Sequence, residues 1–226
     1  MVGKIGFGLL WVGLLAYAFL FAPPSQPDTF ELISRMSRGD IEGINPLIVA
    51  LFNLMGIWPM VYGGLLFADG RGQKIRAFPF AIASFLVGAF AILPYLILRS
   101  PNPTFSGAKN GFLKALDSRL LGILLALGAI ALATWGLLQG NWPDFIAQWQ
   151  TRRFIHVMSL DFCLLCLLFP TLVKDDLARR GVENSLPLQG LTFLPLLGPL
   201  LYLCLRPSLP DEEEQKVSDA APTVEA

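Results

Sequence analysis

A series of apolar runs, each long enough to cross a bilayer as a helix, is the feature that most constrains this chain. A hydrocarbon core is spanned by roughly 20 apolar residues in a helix. Hydrophobic residues make up 54% of the 226 residues, and charged residues make up 15%. A soluble domain carries about 25% charged residues. The sequence therefore excludes an ordinary soluble domain, a disordered chain and a large catalytic domain outside the membrane.

Six apolar runs are separated by short polar segments. None of them shows the alternation of polar and apolar residues that marks a membrane barrel strand. We predict an all-α polytopic membrane protein with six transmembrane helices and both termini on the same side. The first run is interpreted as a retained span, with a cleaved signal peptide as the alternative. The predicted spans are residues 5–22, 45–68, 78–98, 120–138, 154–173 and 190–205.

A basic connector divides the spans into two units of three. We predict an N-terminal unit over residues 1–103, a connector over 104–119 and a C-terminal unit over 120–206. Residues 207–226 are polar and acidic, which predicts a disordered tail. Residues 29–36 alternate apolar and charged side chains, which indicates a helix on the membrane surface or a solvated connector.

A repeat relates the two units at a constant offset of 107 residues. In each unit an aspartate opens a charged loop, which is followed by an apolar run that ends in Tyr-Leu-x-Leu-Arg. We interpret this as an inverted repeat of three spans, which would place the two loops on opposite faces. The alternative is that unrelated segments share the same preference for Tyr and Arg at interfaces. The residues are Asp69 with Asp176, Tyr95 with Tyr202, Arg99 with Arg206, and Arg179 and Arg180 in the second loop.

If six helices cross the membrane, the distribution of basic residues does not indicate the orientation of the protein. Lysine and arginine together number 17, as do aspartate and glutamate, so the net charge indicates neither nucleic acid nor an acidic partner. Six spans would divide the basic residues into eight on one face and nine on the other. The positive-inside rule needs an excess on one face, and an inverted duplication would explain its absence.

Polar side chains inside the apolar runs are the candidate functional residues. Asp161 lies within the fifth run, where a carboxylate costs roughly 2.5–3.5 kcal/mol on insertion scales. It is typical of a proton relay or a ligand contact, or of a hydrogen bond that joins two helices. Asn53 stands one residue out of register with it in the other unit. We expect the amide and the carboxylate to meet near the axis between the units.

The single histidine and the cysteines are weaker candidates. His156 is more typical of an interfacial hydrogen-bonding residue than of a haem or chlorophyll ligand. Cys163 and Cys166 form a CxxC pattern, but the leucines around them favour core-filling thiols over redox chemistry. Cys204 lies in the last run. We expect no metal, while chlorophyll, carotenoid or quinone binding stays open.

The C-terminal unit resembles a group of small uncharacterised multi-span membrane proteins of bacteria, especially cyanobacteria, and of plastids. The resemblance covers residues 120–206 and implies a plasma-membrane or thylakoid location, with no ligand residues to carry over. The N-terminal unit departs from it, because Asn53 stands where an aspartate would be expected. The residues that carry the resemblance are Asp161, Asp176, Arg179, Arg180, Gly181, Tyr202 and Arg206.

The sequence contains no phosphate-binding loop, nucleophile elbow or zinc-protease motif, so we predict that the protein is not an enzyme. A redox role of the Cys163 and Cys166 pair is kept as an exception. We expect an accessory, assembly or stabilising component of a membrane complex. Its expected partners are the lipid bilayer and another membrane protein, but not nucleic acid. The alternatives are a small-solute or ion transporter and a pigment- or quinone-binding protein.

Overall fold

Long apolar helices dominate the computed structural model, which describes residues 2–182 and 185–211 and has no strand among them. Residues 212–226, most of the predicted tail, lie outside the described part. Four helices are long and apolar enough to cross a membrane, and they coincide with four of the six predicted spans. These helices are Gly3–Phe21, Pro46–Asp69, Arg119–Gln139 and Arg153–Arg179.

Shorter helices lie between and after the long ones. The first long helix is α1 with a π-helical turn over Tyr17–Phe21, and the fourth is α9 with α10, which begins at Pro170. A short helix, α6, lies within the predicted connector. The bounds are α1 Val2–Ala16, α2 Thr29–Ser37, α3 Pro46–Asp69, α4 Phe78–Val87, α5 Ala89–Leu98, α6 Gly111–Leu116, α7 Arg119–Gln139, α8 Trp142–Thr151, α9 Arg153–Leu168, α10 Pro170–Arg179, α11 Leu186–Leu191 and α12 Leu197–Leu205.

The predicted span 78–98 is not one helix but a hairpin of α4 and α5. The chain turns at Gly88, whose φ of 49° and ψ of −124° suit the first central position of a mirror-image turn that favours glycine. The rings of Phe80 and Tyr95, near the two ends of the hairpin, lie 5.6 Å apart. In a continuous helix these residues would be about 22 Å apart. The apolar run therefore folds back on itself.

The predicted span 190–205 is also broken, into α11 and α12. The bend is at Leu196, which has a φ of 60°, and the Leu197 N–H donates to the Pro195 carbonyl at 2.6 Å. This is a tight three-residue turn. Just beyond it, a Cβ on Gly198 would lie 2.1 Å from the Leu191 carbonyl oxygen, so only glycine allows the two segments to approach this closely.

The second helix of each hairpin runs along the first long helix of its own unit. In the N-terminal unit the Trp11 indole donates to the Phe90 carbonyl at 3.0 Å, and Lys4 reaches the Leu98 carbonyl at 3.5 Å. In the C-terminal unit Gly122 of α7 packs against the backbone of Leu203 in α12. Each unit thus consists of a long helix, a short helix, a second long helix and a hairpin.

The two short helices α2 and α8 lie together at one end of the bundle, the surface-helix end. Arg152, after α8, pairs with Asp28, before α2, at 3.0 Å. The Asn45 amide, at the start of α3, donates to the Asn141 carbonyl at 2.7 Å. Each contact joins the start of a short helix in one unit to the start of the second long helix in the other. Helix α2 confirms the helix expected over residues 29–36.

The opposite end of the bundle, the aspartate end, carries Asp69 and Asp176 together. Nη1 of Arg179 lies 2.9 Å from Asp69, and Nη2 of the same residue lies 3.4 Å from Asp176. The expected placement of the two loops on opposite faces is therefore wrong. The physical reason is that the third apolar run of the N-terminal unit doubles back, so two long helices rather than three separate Asp69 from Asp176.

Replacing Gly88 by alanine tests the bend between α4 and α5. A Cβ at this position would lie 1.8 Å from an oxygen of Asp161, and a non-glycine residue held in a sparsely populated region of φ and ψ costs about 1–3 kcal/mol. We expect Gly88→Ala to lower the free energy of unfolding in mixed micelles by more than that amount. Gly6→Ala, at an exposed helical site with no atom within 4 Å, is the control. Equal stability of the two variants would contradict the bend.

Candidate functional site

A cavity of about 670 Å³ lies between α1, α3, the α4–α5 hairpin and α9. Ligand sites in proteins usually have volumes of about 300–1,000 Å³. Ser25, Thr29 and Arg153 line it towards the surface-helix end, while Ser84, Gly88 and Asp161 line its inner part. Apart from the amide of Asn53, the remaining walls are apolar and aromatic: Leu15, Ala18, Phe19, Phe52, Met55, Gly56, Phe85, Leu86, Val87, Phe90, Phe154, Val157 and Met158.

Asp161 lies at the inner part of the cavity, against the bend of the α4–α5 hairpin. Its side chain is buried, and its Oδ1 accepts a hydrogen bond of 2.7 Å from the Ala89 N–H. Ala89 is the first residue of α5, where backbone N–H groups are free and the helix dipole favours negative charge. Asp161 therefore fixes the hairpin to α9 and presents its carboxylate to the cavity.

The second bend lies beside the same long helix. The Leu196 N–H lies near the Cys166 thiol, and Leu196 is the residue that the 107-residue offset pairs with Ala89. Cys166 is half-buried and packs against the core. Cys163 is exposed on the outer surface of α9, so the expectation that it fills the core is wrong. Cys163, Cys166 and Cys204 are all free thiols. Leu54, the residue paired with Asp161 by the offset, is an apolar core residue, so the two units are not chemically equivalent here.

Asn53 lines the same cavity as Asp161. Its amide donates to the Val49 carbonyl of its own helix at 2.8 Å, and the described residues show no hydrogen bond between it and Asp161. The two polar groups therefore line one cavity, and the expected meeting of the amide and the carboxylate is not seen among the described residues.

His156 is a buried, fully hydrogen-bonded residue near the surface-helix end. Its Nδ1 bonds the Trp149 carbonyl at 2.9 Å, and its Nε2 bonds the Tyr17 hydroxyl at 2.8 Å. Because a carbonyl only accepts, Nδ1 carries the proton and Nε2 accepts from the tyrosine. Both ring nitrogens are occupied in this arrangement. Among the described residues, no group of three or more His, Cys, Asp and Glu side chains could hold a metal ion.

At the aspartate end, Asp69 is the centre of a buried group of side chains. The Tyr95 hydroxyl donates to it at 2.6 Å, and Arg99 donates to both carboxylate oxygens at 2.8 and 2.6 Å. Arg99 also pairs with Asp175. Burial alone would lower the pKa of Arg99, but the two carboxylates raise it well above its usual range.

Asp176 is surrounded in the same way by the residues that the offset predicts. The Tyr202 hydroxyl donates to it at 2.6 Å, Arg206 at 3.3 Å and Arg180 at 2.8 Å. Arg180 and Arg206 also lie near Asp117. The pairing of Asp, Tyr and Arg predicted from the sequence is therefore matched by the same contacts in both units.

Arg179 joins the two groups into one polar cluster, through the contacts with both aspartates described above. Both aspartates are fully buried, and Arg179 is 2% exposed. The cluster balances four arginines against four aspartates, a balance that buried charge requires. Its members are Asp69, Asp117, Asp175, Asp176, Arg99, Arg179, Arg180 and Arg206, together with Tyr95 and Tyr202.

Several residues of both sites were not identified from the sequence. Asp117, Asp175 and Asn102 belong to the polar cluster or brace it, and the Asn102 amide donates to the backbone carbonyl of Asp69 at 2.7 Å. Nothing in their local sequence marks them, since polar residues in short loops are common. Gly88 could have been noted as a glycine inside an apolar run.

No family model, curated protein or solved structure matches the chain. Function is therefore inferred from the cavity, the polar cluster and the arrangement of the helices.

Replacing Arg179 by methionine tests the polar cluster. Removing one partner of a buried ion pair typically costs about 3–5 kcal/mol, and we expect the lower end because both aspartates keep other partners. The measurement is the free energy of unfolding in mixed micelles. Arg35→Met, which breaks a surface pair with Asp40, is the matched control and should leave the free energy of unfolding nearly unchanged, because exposed ion pairs contribute little. A similar small loss for both variants would show that the cluster is not a structural link.

Proposed function

We propose that the protein is a membrane transporter for a small, largely apolar solute, and that the cavity is its binding site. The observation that carries this proposal is the depth of the cavity, which extends to a buried carboxylate at the bend of a hairpin. The polar cluster lies beyond it at the aspartate end and would close that route. This is the non-catalytic transporter that the sequence left as an alternative.

We propose that the four long helices cross the membrane and that both hairpins enter and leave from the aspartate end. Irregular backbone at membrane depth is tolerated where it is buried in protein or lines a cavity. The bend at Gly88 lines the cavity, and Leu196 is a buried residue. In this arrangement the duplication is a parallel one, in which each unit contributes two crossings, and it replaces the inverted repeat.

With four crossings, the basic residues divide unequally between the two ends of the bundle, whereas with six crossings they divide almost equally. Twelve basic residues fall at the aspartate end and four at the surface-helix end, with Lys216 outside the described residues. An excess of lysine and arginine marks the cytoplasmic side, so we propose that the aspartate end faces the cytoplasm. The twelve are Lys4, Arg71, Lys74, Arg76, Arg99, Lys109, Lys114, Arg119, Lys174, Arg179, Arg180 and Arg206, and the four are Arg35, Arg38, Arg152 and Arg153.

Transport requires that the binding site be reached from each side in turn. The cavity extends towards the surface-helix end, while ion pairs between the two units lie at the aspartate end. We propose that this is one of two states and that separation of the units around Arg179 produces the other. Rigid movement of one repeat against the other around a fixed site is a common transport mechanism.

The accessory or assembly role stays a prediction and has a distinct consequence. A helper protein that acts through its outer surface needs no water-filled path to Asp161, so its interior would be dry. The thylakoid location and the binding of pigment or quinone likewise stay predictions, and visible absorbance of the purified protein would identify a bound pigment.

Cysteine labelling tests the proposal. In a variant without the three native cysteines, Asn53→Cys should react with a membrane-impermeant thiol reagent, because position 53 is exposed and lines the cavity. Leu54→Cys, at a neighbouring buried position that is 6% exposed, is the control and should stay unreactive.

The same variant distinguishes transport from a closed-ended pocket. In vesicles of both orientations, a transporter predicts labelling of Asn53→Cys from both faces, faster from the surface-helix end. Labelling from that end alone, even after long incubation, would contradict transport. An unreactive Asn53→Cys would contradict a water-accessible cavity and favour the accessory role.

A further inference from the structure

We propose that the cavity binds a lipophilic organic cation and that Asp161 is its counter-ion. This inference rests on the proposed function and names the chemical class of the solute. Three independent features support it: the absence of an ion-pair partner for Asp161 among the described residues, the aromatic walls, and an apolar side opening.

The first feature is the pairing of Asp161. Its one hydrogen bond among the described residues is the contact of Oδ1 with the Ala89 N–H, and the described residues form no ion pair with it. The aspartates of the polar cluster, in contrast, each lie against arginine. Asp161 is 4% exposed and lines the cavity, and a buried carboxylate is strongly stabilised by a cation at close range. Its Oδ2 lies beside Gly88 at the bend and accepts no hydrogen bond from the described residues.

The second feature is the composition of the walls. Five phenylalanines line the cavity, and the rings of Phe52 and Phe154 lie 6.4 Å apart. A cation near the face of an aromatic ring gains about 0.5–1 kcal/mol at exposed sites and about 2 kcal/mol where it is desolvated. Rings of this kind also accommodate the apolar substituents of an organic cation. The five are Phe19, Phe52, Phe85, Phe90 and Phe154.

The third feature is the route of entry. One wall of the cavity is formed by Phe19, Phe85 and Leu86, which are 67%, 52% and 88% exposed. The cavity therefore opens sideways through an apolar wall. Arg153 lies towards the surface-helix end, where its positive charge disfavours small hydrated cations. A cation that dissolves in the bilayer can enter through the apolar side. The site thus favours lipophilic cations over inorganic ones.

Tetraphenylphosphonium is a suitable probe, and tetraphenylborate is a matched anion of nearly the same shape. We expect the purified full-length protein in detergent to bind the phosphonium saturably and the borate much more weakly. Triphenylmethane, a neutral molecule of the same kind, should also bind weakly. Equilibrium dialysis with each probe measures the three affinities.

Asp161→Asn should weaken binding of the phosphonium by about thirtyfold or more, since truncating a buried charge pair has effects of this size. The asparagine oxygen can still accept from Ala89, so the hairpin keeps its contact. Phe52→Leu should weaken binding by about two- to fivefold through loss of a ring. Asp40→Asn changes an exposed carboxylate that is distant from Asp161 in the sequence. This control variant should bind the phosphonium as tightly as the unsubstituted protein does.

Equal binding of cation, anion and neutral probe would overturn the proposed ligand class and indicate an apolar site for lipid or quinone. The same holds if Asp161→Asn binds the phosphonium as tightly as the unsubstituted protein. Absence of phosphonium binding, together with labelling of Asn53→Cys, would also overturn the ligand class while leaving the transporter proposal in place. An unreactive Asn53→Cys would remove the transporter proposal itself, so the two failures are distinguishable.

Discussion

The arrangement of the two units depends on one contact, the bridge that a single arginine forms between two buried aspartates. Arg179 touches Asp69 at the end of α3 and Asp176 within its own helix α10. Buried carboxylates need compensating charge, and the arginines that supply it come from α5, α10 and the segment after α12. The long helices and the ends of both hairpins are therefore held at one end of the bundle, which leaves the cavity to form towards the other.

The bends of the hairpins show how one long helix can support two irregular segments. Asp161 of α9 accepts a hydrogen bond from the Ala89 N–H, and Cys166 of the same helix lies near the Leu196 N–H. Both N–H groups begin a half-helix, where backbone donors lack partners within the helix. The carboxylate at one bend and the thiol at the other make the two bends chemically different. The proposed solute site lies at the bend with the charge.

Much of this structure could be predicted from the sequence, but the hairpins could not. The four long helices follow from apolar length, and the correspondence between Asp69 and Asp176 follows from the 107-residue offset, although the contacts around each aspartate do not. An apolar run has the same composition whether it crosses the membrane or turns at Gly88, so counting runs predicted six spans where the described residues have four helices long enough to cross. The partner of Asp161 is a backbone N–H, which no residue pattern marks.

The parallel arrangement of the units is most directly tested by the sidedness of the loops that flank the first hairpin. Lys74→Cys lies before it and Ser106→Cys after it, both at exposed positions, in a protein without native cysteines. An impermeant thiol reagent applied to vesicles of known orientation should label both from one face and Arg38→Cys from the other. Labelling of positions 74 and 106 from opposite faces would show that residues 78–98 cross the membrane, and would contradict the account.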